Sequence, residues 1–190
     1  MVFHKRNSRS VFLDRDGVIN EVVFRDRKPV SPRTIEEFRF CEGVAEALQR
    51  LSVAGLRLLI VSNQPDIARG LLSSSVLQSM NDRIVASLPV EHVLVCPHDD
   101  ADNCACRKPK PGLLYELAAS GGIDLSRSFL IGDSWKDIQA GQRAGCRTIL
   151  LRRPYNAGVD AQFVTDTLSQ AVDLILGELA HDDTDDGLRH

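Results

Sequence analysis

Two groups of side chains have the types and spacing to do chemistry. The first is Asp14 and Asp16 in Val11-Phe12-Leu13-Asp14-Arg15-Asp16-Gly17-Val18. Side chains alternate along a strand, so carboxylates two residues apart leave its end on the same side. Mutual repulsion raises one pKa unless a cation is shared. A hard cation such as Mg²⁺ prefers such oxygen ligands. Taken alone, the octapeptide serves equally well as a turn with incidental acids. The second group is Cys96-Pro97-His98 and Cys104-Ala105-Cys106, separated by five residues. Three thiols and an imidazole make a closed tetrahedral set suited to Zn²⁺, and soft thiolates disfavour Mg²⁺ there. The alternative is four unrelated polar residues in one loop.

Elements must hold these groups in place. Val11-Phe12-Leu13 reads as a buried parallel strand over about 10–14, with Gly17 as the turn that leaves it. Two carboxylates at the carboxyl end of such a strand lie where open α/β sheets bind ligands. Further strands are expected at 56–61, 92–95, 128–131 and 147–151. Helices are expected over 43–54, from an N-cap in Ser73-Ser74-Ser75 to about Leu88, from Pro111 to Gly121-Gly122, over 135–144 and over 166–180. The long connection 20–42 reads as functional or ordered by its own packing. Strands alternating with helices predict a parallel sheet sandwiched by helices, with right-handed crossovers.

Composition bounds the possibilities. The chain has 190 residues, 43% hydrophobic, which suits one domain with a full-sized core. The expected core runs over about 10–180, with loose tails at 1–9 and 181–190. The net charge of −3 gives no reason to expect nucleic acid or a membrane surface as partner. The basic start at 4–9 is followed by a strand and not by a signal-peptide core. No apolar run approaches the roughly 18 residues of a membrane span. A cytoplasmic monomer is expected, in which clustered cysteines read as metal ligands and not as disulfides. Cys41 and Cys146 read as core.

Asp14-Arg15-Asp16-Gly17 resembles the first motif of the haloacid dehalogenase-like (HAD) phosphatases. Ser62-Asn63-Gln64 after a strand, Lys108-Pro109 before a helix, and Gly132-Asp133 with Asp137 resemble the later motifs, in the right order. The resemblance spans nearly the whole chain. It implies a Rossmann-like HAD fold without a cap domain, since neither 17–42 nor 65–91 is long enough to fold as one. It implies that Asp14 is the nucleophile, forming an aspartyl phosphate, and that Asp16 is the general acid and base. Mg²⁺ would join Asp14, the Asp16 backbone carbonyl and Asp133, with Asp137 in support. Lys108 would stabilise the phosphoryl group in flight. Ser62, Asn63 and Gln64 would contact or orient substrate.

Zinc in a loop followed by Arg107-Lys108-Pro109 resembles the histidinol-phosphatase-like branch of that family. Its members include heptose bisphosphate phosphatases and histidinol-phosphate phosphatases. Asn63-Gln64 with Ile67-Ala68-Arg69-Gly70, and Lys108-Pro109 with Pro111-Gly112, look like the heptose enzymes. The short loop 99–103 looks like the histidinol enzymes. The expected activity is Mg²⁺-dependent hydrolysis of a small sugar bisphosphate. Arg107, with Arg69 or the arginines of 20–42, would grip the second phosphate. Histidinol phosphate, a cationic substrate wanting acidic neighbours, is the alternative within enzymes. A non-catalytic zinc-stabilised binding module is the alternative outside them, and the pair Asp14 and Asp16 argues against it.

Overall fold

The computed structural model describes residues 8–187, with side chains placed as far as His181. Most of the expected tails therefore lies outside the described residues. Ser8 is already part of the fold, bridging to Ile123 and bonding to Gly122 and Asp124.

In chain order the elements are β1 (Ser10–Leu13), β2 (Val23–Arg25), β3 (Lys28–Val30), α1 (Val44–Val53), β4 (Arg57–Asn63), α2 (Ser74–Ser87), β5 (His92–Cys96), α3 (Gly112–Gly121), β6 (Phe129–Gly132), α4 (Trp135–Ala144), β7 (Arg147–Leu151), β8 (Phe163–Thr165) and α5 (Leu168–Gly187). Six strands form one parallel sheet in the order β5-β4-β1-β6-β7-β8.

Period-two alternation builds the sandwich. Val11, Leu13, Leu58, Ile60, Phe129 and Ile131 point into the layer shared with α1, α2 and α5. Phe12, Leu59, Val61 and Leu130 point the other way, against α3 and α4. Strands buried on both faces explain the continuous apolar runs in the sequence. The chain winds outward from β1 through β4 to β5, then crosses to β6 on the other side of β1. That reversal puts a crevice at the carboxyl ends of β1 and β6, the place for a ligand in such a sheet.

Three elements differ from the sequence reading. The 20–42 connection folds β2 and β3 into an antiparallel hairpin. Its turn residues Asp26 and Arg27 take φ of 49° and 62° with no glycine at the turn, and Pro29 lies inside β3, so the usual hairpin signals are missing. β8 has only three residues, too few to show a period. α5 runs to Gly187 and not to about 180, because no glycine or proline stop intervenes between Leu179 and Gly187. Among the described residues no helix is long and apolar enough to cross a membrane.

Candidate active site

Asp14 and Asp133 follow β1 and β6, on either side of the crevice. Lys108 reaches the same point from the loop before α3. Its ammonium donates to Asp14 Oδ1 at 2.8 Å and the Val61 carbonyl at 2.7 Å, and forms an ion pair with Asp137 Oδ1 at 2.5 Å. Asp14 Oδ1 also accepts from the Arg15 amide at 2.7 Å, leaving Oδ2 without a hydrogen bond among the described residues. Asp137 is fully buried, which rules out a merely solvated residue. Its Oδ2 caps α4 through the Ser134 amide and hydroxyl, and its Oδ1 pairs with Lys108. Asp137 is thus committed to Lys108 and the cap.

Asp14, Asp133 and Asp137 offer oxygens within 4.8 Å of one another. One lysine does not balance three buried carboxylates. Burial, reinforced by Asp137 and opposed by Lys108, raises Asp14 well above the usual carboxylate range. Burial and Asp137 push Asp133 up to about 7. The oxygen donors and this charge deficit fit a hard divalent cation between Asp14 and Asp133. Gly17 is required beside it. Its φ is +85°, and a Cβ there would lie 1.9 Å from Asp133 Oδ2.

Asp16 sits in the opposite environment. Arg15, wholly buried, reaches it at 3.0 Å, and Asn20, Ser31 and Gln64 donate to it at 2.9, 2.8 and 2.7 Å. Burial raises its pKa, but Arg15 and these donors outweigh burial and the net shift is downward. Asp16 is therefore held ionised.

The Ser62–Gln64 stretch acts from beneath. Gln64 donates to both Asp16 and Ser62 Oγ, and both Ser62 and Gln64 are buried. Asn63 grips the Lys108 backbone at both ends, donating to its carbonyl at 2.9 Å and accepting from its amide at 3.0 Å. These three residues position Asp16 and Lys108; of the three, only Asn63 lines the cavity.

Cys96, His98, Cys104 and Cys106 converge as the sequence suggested. Neighbouring ligand atoms lie 3.3–3.6 Å apart. A tetrahedron with Zn–S bonds of about 2.3 Å has edges of about 3.7 Å, so the set fits zinc. α3 starts hard against this loop, where a Cβ on Gly112 would lie 2.3 Å from the Ala105 carbonyl. Arg107 leaves the loop buried, bonding Asp100 at 2.7 Å and the His98 carbonyl at 3.1 Å. Asp99 in turn takes a two-pronged pair from Arg69, and Asp66 pairs with Arg33 at 2.7 Å. Arg25 is paired with Glu37.

These groups surround a cavity of about 380 Å³, lined by Arg69, Arg107, Lys108 and Lys136 as well as the carboxylates. Sequence reasoning missed Arg15, Asn20, Ser31, Lys136, Trp135 and Tyr155. Only Asn20, four residues after Asp16 in Asp16-Gly17-Val18-Ile19-Asn20, had a spacing that hinted at its role.

Residues 105–171 match the HAD-hydrolase-like family model. The chain is 39% identical over 151 residues to D-glycero-beta-D-manno-heptose-1,7-bisphosphate 7-phosphatase of Pseudomonas aeruginosa, covering 76% of this chain and 82% of the relative. It is 37% identical over 150 residues to the enzyme of that name from Helicobacter pylori, covering 76% and 83%. The crystal structure of D,D-heptose 1,7-bisphosphate phosphatase from B. bronchiseptica, complexed with magnesium and phosphate, superposes with a TM-score of 0.78 at 30% identity. The match covers 90% of this chain and 99% of that one. On these matches and its six-stranded parallel sheet, the chain belongs to the HAD-like hydrolases and is one of their phosphatases.

Proposed function

We propose that the chain is a Mg²⁺-dependent phosphomonoesterase acting on D-glycero-D-manno-heptose 1,7-bisphosphate through an aspartyl phosphate on Asp14. The observation that carries the chemistry is Asp14 itself, with Oδ1 fixed by Lys108 and the Arg15 amide and Oδ2 left for attack. Asp14 Oδ2 attacks phosphorus, and the ester oxygen departs with a proton from Asp16. A phosphate dianion beside Asp16 raises its pKa from the low value set by Arg15, favouring the acid form for that step. Asp16, ionised again, then takes a proton from the water that opens the acyl phosphate. Lys108 offsets the charge gathering on the phosphoryl oxygens. A Mg²⁺ ion held by Asp14, Asp133 and the Asp16 carbonyl would shield the attacking carboxylate from the phosphate.

The rim supports a substrate with a second phosphate. Asp66, Asp99 and Asp100 are each matched by an arginine, which leaves little acidic character for a cationic histidinol. Arg107 would take the distal phosphate in exchange for Asp100, whose side chain is 72% exposed. Zinc on Cys96, His98, Cys104 and Cys106 would brace the loop that carries Arg107 and Lys108. All these groups come from one chain, which suits a monomer, and a reducing cytoplasm would keep the ligand thiols available. The test is side-by-side kcat/KM for heptose bisphosphate and histidinol phosphate. The bisphosphate should be the better substrate, and the reverse order would overturn the proposal.

A further inference from the structure

The loop after β7 grips both acid-bearing turns of the site. Arg153 donates to the Gly17 carbonyl at 2.9 Å, and Asn156 donates to the Asp133 carbonyl at 2.8 Å. Between them Tyr155 donates its hydroxyl to Asp133 Oδ2. The same oxygen lies against Gly17, where no Cβ fits. One oxygen of Asp133 is therefore clamped between a phenol and a backbone, and Oδ1 has no protein hydrogen bond among the described residues. The Tyr155 ring in turn meets Phe24 of β2 edge-on, with centroids 6.0 Å apart at 62°. Phe24 is 59% exposed and packs there from the middle of β2, in a hairpin whose far strand leads to Ser31 on Asp16.

We propose that Tyr155 is a positioning residue for the cation ligand Asp133, and that the β2–β3 hairpin supports the cation site through Phe24 and Tyr155. This rests on the reading of Asp133 as a cation ligand. A carboxylate free to turn about its last torsion presents either oxygen, or both, to an ion. The phenol and Gly17 remove that freedom, so the ligand is set before the ion arrives. Partners that orient a metal ligand in this way commonly change metal affinity by about 10–100-fold when removed. The hydroxyl does this work, whereas the ring contact only steadies the phenol.

The experiment is calorimetric titration of the full, zinc-replete chain, dialysed free of Mg²⁺, with magnesium chloride. Tyr155→Phe keeps the ring against Phe24 and removes only the hydroxyl. It should weaken Mg²⁺ binding about 10–100-fold. Its Mg²⁺-free melting temperature should fall by no more than the loss of one buried hydrogen bond explains, and its substrate KM at saturating Mg²⁺ should be unchanged. A purely structural role would lower the melting temperature or raise KM without moving the Mg²⁺ affinity. Phe24→Ala, at an exposed position that leaves the core intact, should weaken Mg²⁺ by about two- to tenfold. Equal Mg²⁺ affinity in wild type and Tyr155→Phe overturns the inference. No change in Phe24→Ala overturns the hairpin's part in it. Failure of the wild type to bind Mg²⁺ overturns the cation reading of Asp133 and this inference with it.

Discussion

The floor and the rim of the cavity are both rich in charge, but they balance it differently. On the floor, Asp14, Asp133 and Asp137 share one lysine and are buried, so negative charge is in excess. On the rim, Arg33, Arg69 and Arg107 each meet a carboxylate of Asp66, Asp99 or Asp100, partly in water. A buried, unbalanced set calls for a cation and a group to react with. In each rim pair one partner reaches water, and Asp100, 72% exposed, can give way to an incoming phosphate at little cost. The proposed function accordingly puts the chemistry on the floor and the choice of substrate on the rim.

The largest effect should come from the floor. Asp14→Asn keeps the shape of the side chain, but an amide cannot form the acyl phosphate. kcat should fall by about 10⁴-fold or more, with zinc content and melting temperature retained. Near-normal steady-state turnover in that variant would remove Asp14 from the mechanism. The brace between floor and rim should give the next largest effect. Wild type should carry about one zinc per chain, and Cys104→Ser with Cys106→Ser should empty that site. kcat should fall about 10–100-fold as Lys108 loses its placement. Mg²⁺ should still bind, because no zinc ligand touches Asp14 or Asp133. Full activity in the double variant, or wild type purified without zinc, would refute the brace.

Legibility in the sequence follows the same division. The floor could be read because it hangs on strand ends, where a strand, a carboxylate and a glycine succeed one another within a few residues. The five longer strands, the helices and the four-ligand cluster were readable for the same local reason. The pairings within the rim and the hairpin were not. Arg107 was expected to hold a phosphate, but its bond to Asp100 joins side chains of two separate turns. Arg15 looked like a spacer between two acids, and only the packed structure shows it wholly buried on Asp16. Tyr155 and Asp133 lie 22 positions apart, with no periodicity linking them. Ser62, Asn63 and Gln64 were found by resemblance, whereas their work on Asp16 and the Lys108 backbone depends on how β4 meets its neighbours.

The rim should respond by substrate and not by rate alone. Removing a charge-assisted contact to phosphate is worth roughly 1.5–3 kcal/mol, or about ten- to over a hundredfold in kcat/KM. Arg107→Ala should lose that much on the bisphosphate and far less on a monophosphate lacking the distal group. Asp100→Asn should act the other way, improving the bisphosphate's KM by a few-fold, because the exposed carboxylate no longer competes for Arg107. Equal losses on both substrates in Arg107→Ala would move Arg107 from the rim to the floor.

The smallest expected effect is a shift in melting temperature, and it separates floor from rim by pH. Asp133 rises from 3.8 in the unfolded chain to about 7 in the fold, chiefly through burial and then through Asp137. A raised carboxylate binds a proton more tightly folded than unfolded. Its contribution favours the fold at low pH and is lost as pH rises through about 7. Asp99 shifts the other way, to about 2, held there first by its hydrogen bonds from Arg69. Its contribution is present above 3.8 and lost only as pH falls through about 2. Between pH 5.5 and 8 Asp133 on the floor therefore titrates and Asp99 on the rim does not. Mg²⁺ binding must displace the Asp133 proton at pH 5.5 but not at pH 8, which costs about thirtyfold in affinity. At a Mg²⁺ concentration about 100 times the dissociation constant at pH 8, stabilisation is about 2.7 kcal/mol, or roughly 5–10 °C for a chain of this size. At pH 5.5 the same concentration should give only about 2–3 °C. Thermal melts with and without Mg²⁺ at the two pH values measure the difference. Equal shifts would mean that Asp133 is already ionised at pH 5.5, and the charge excess assigned to the floor would be absent.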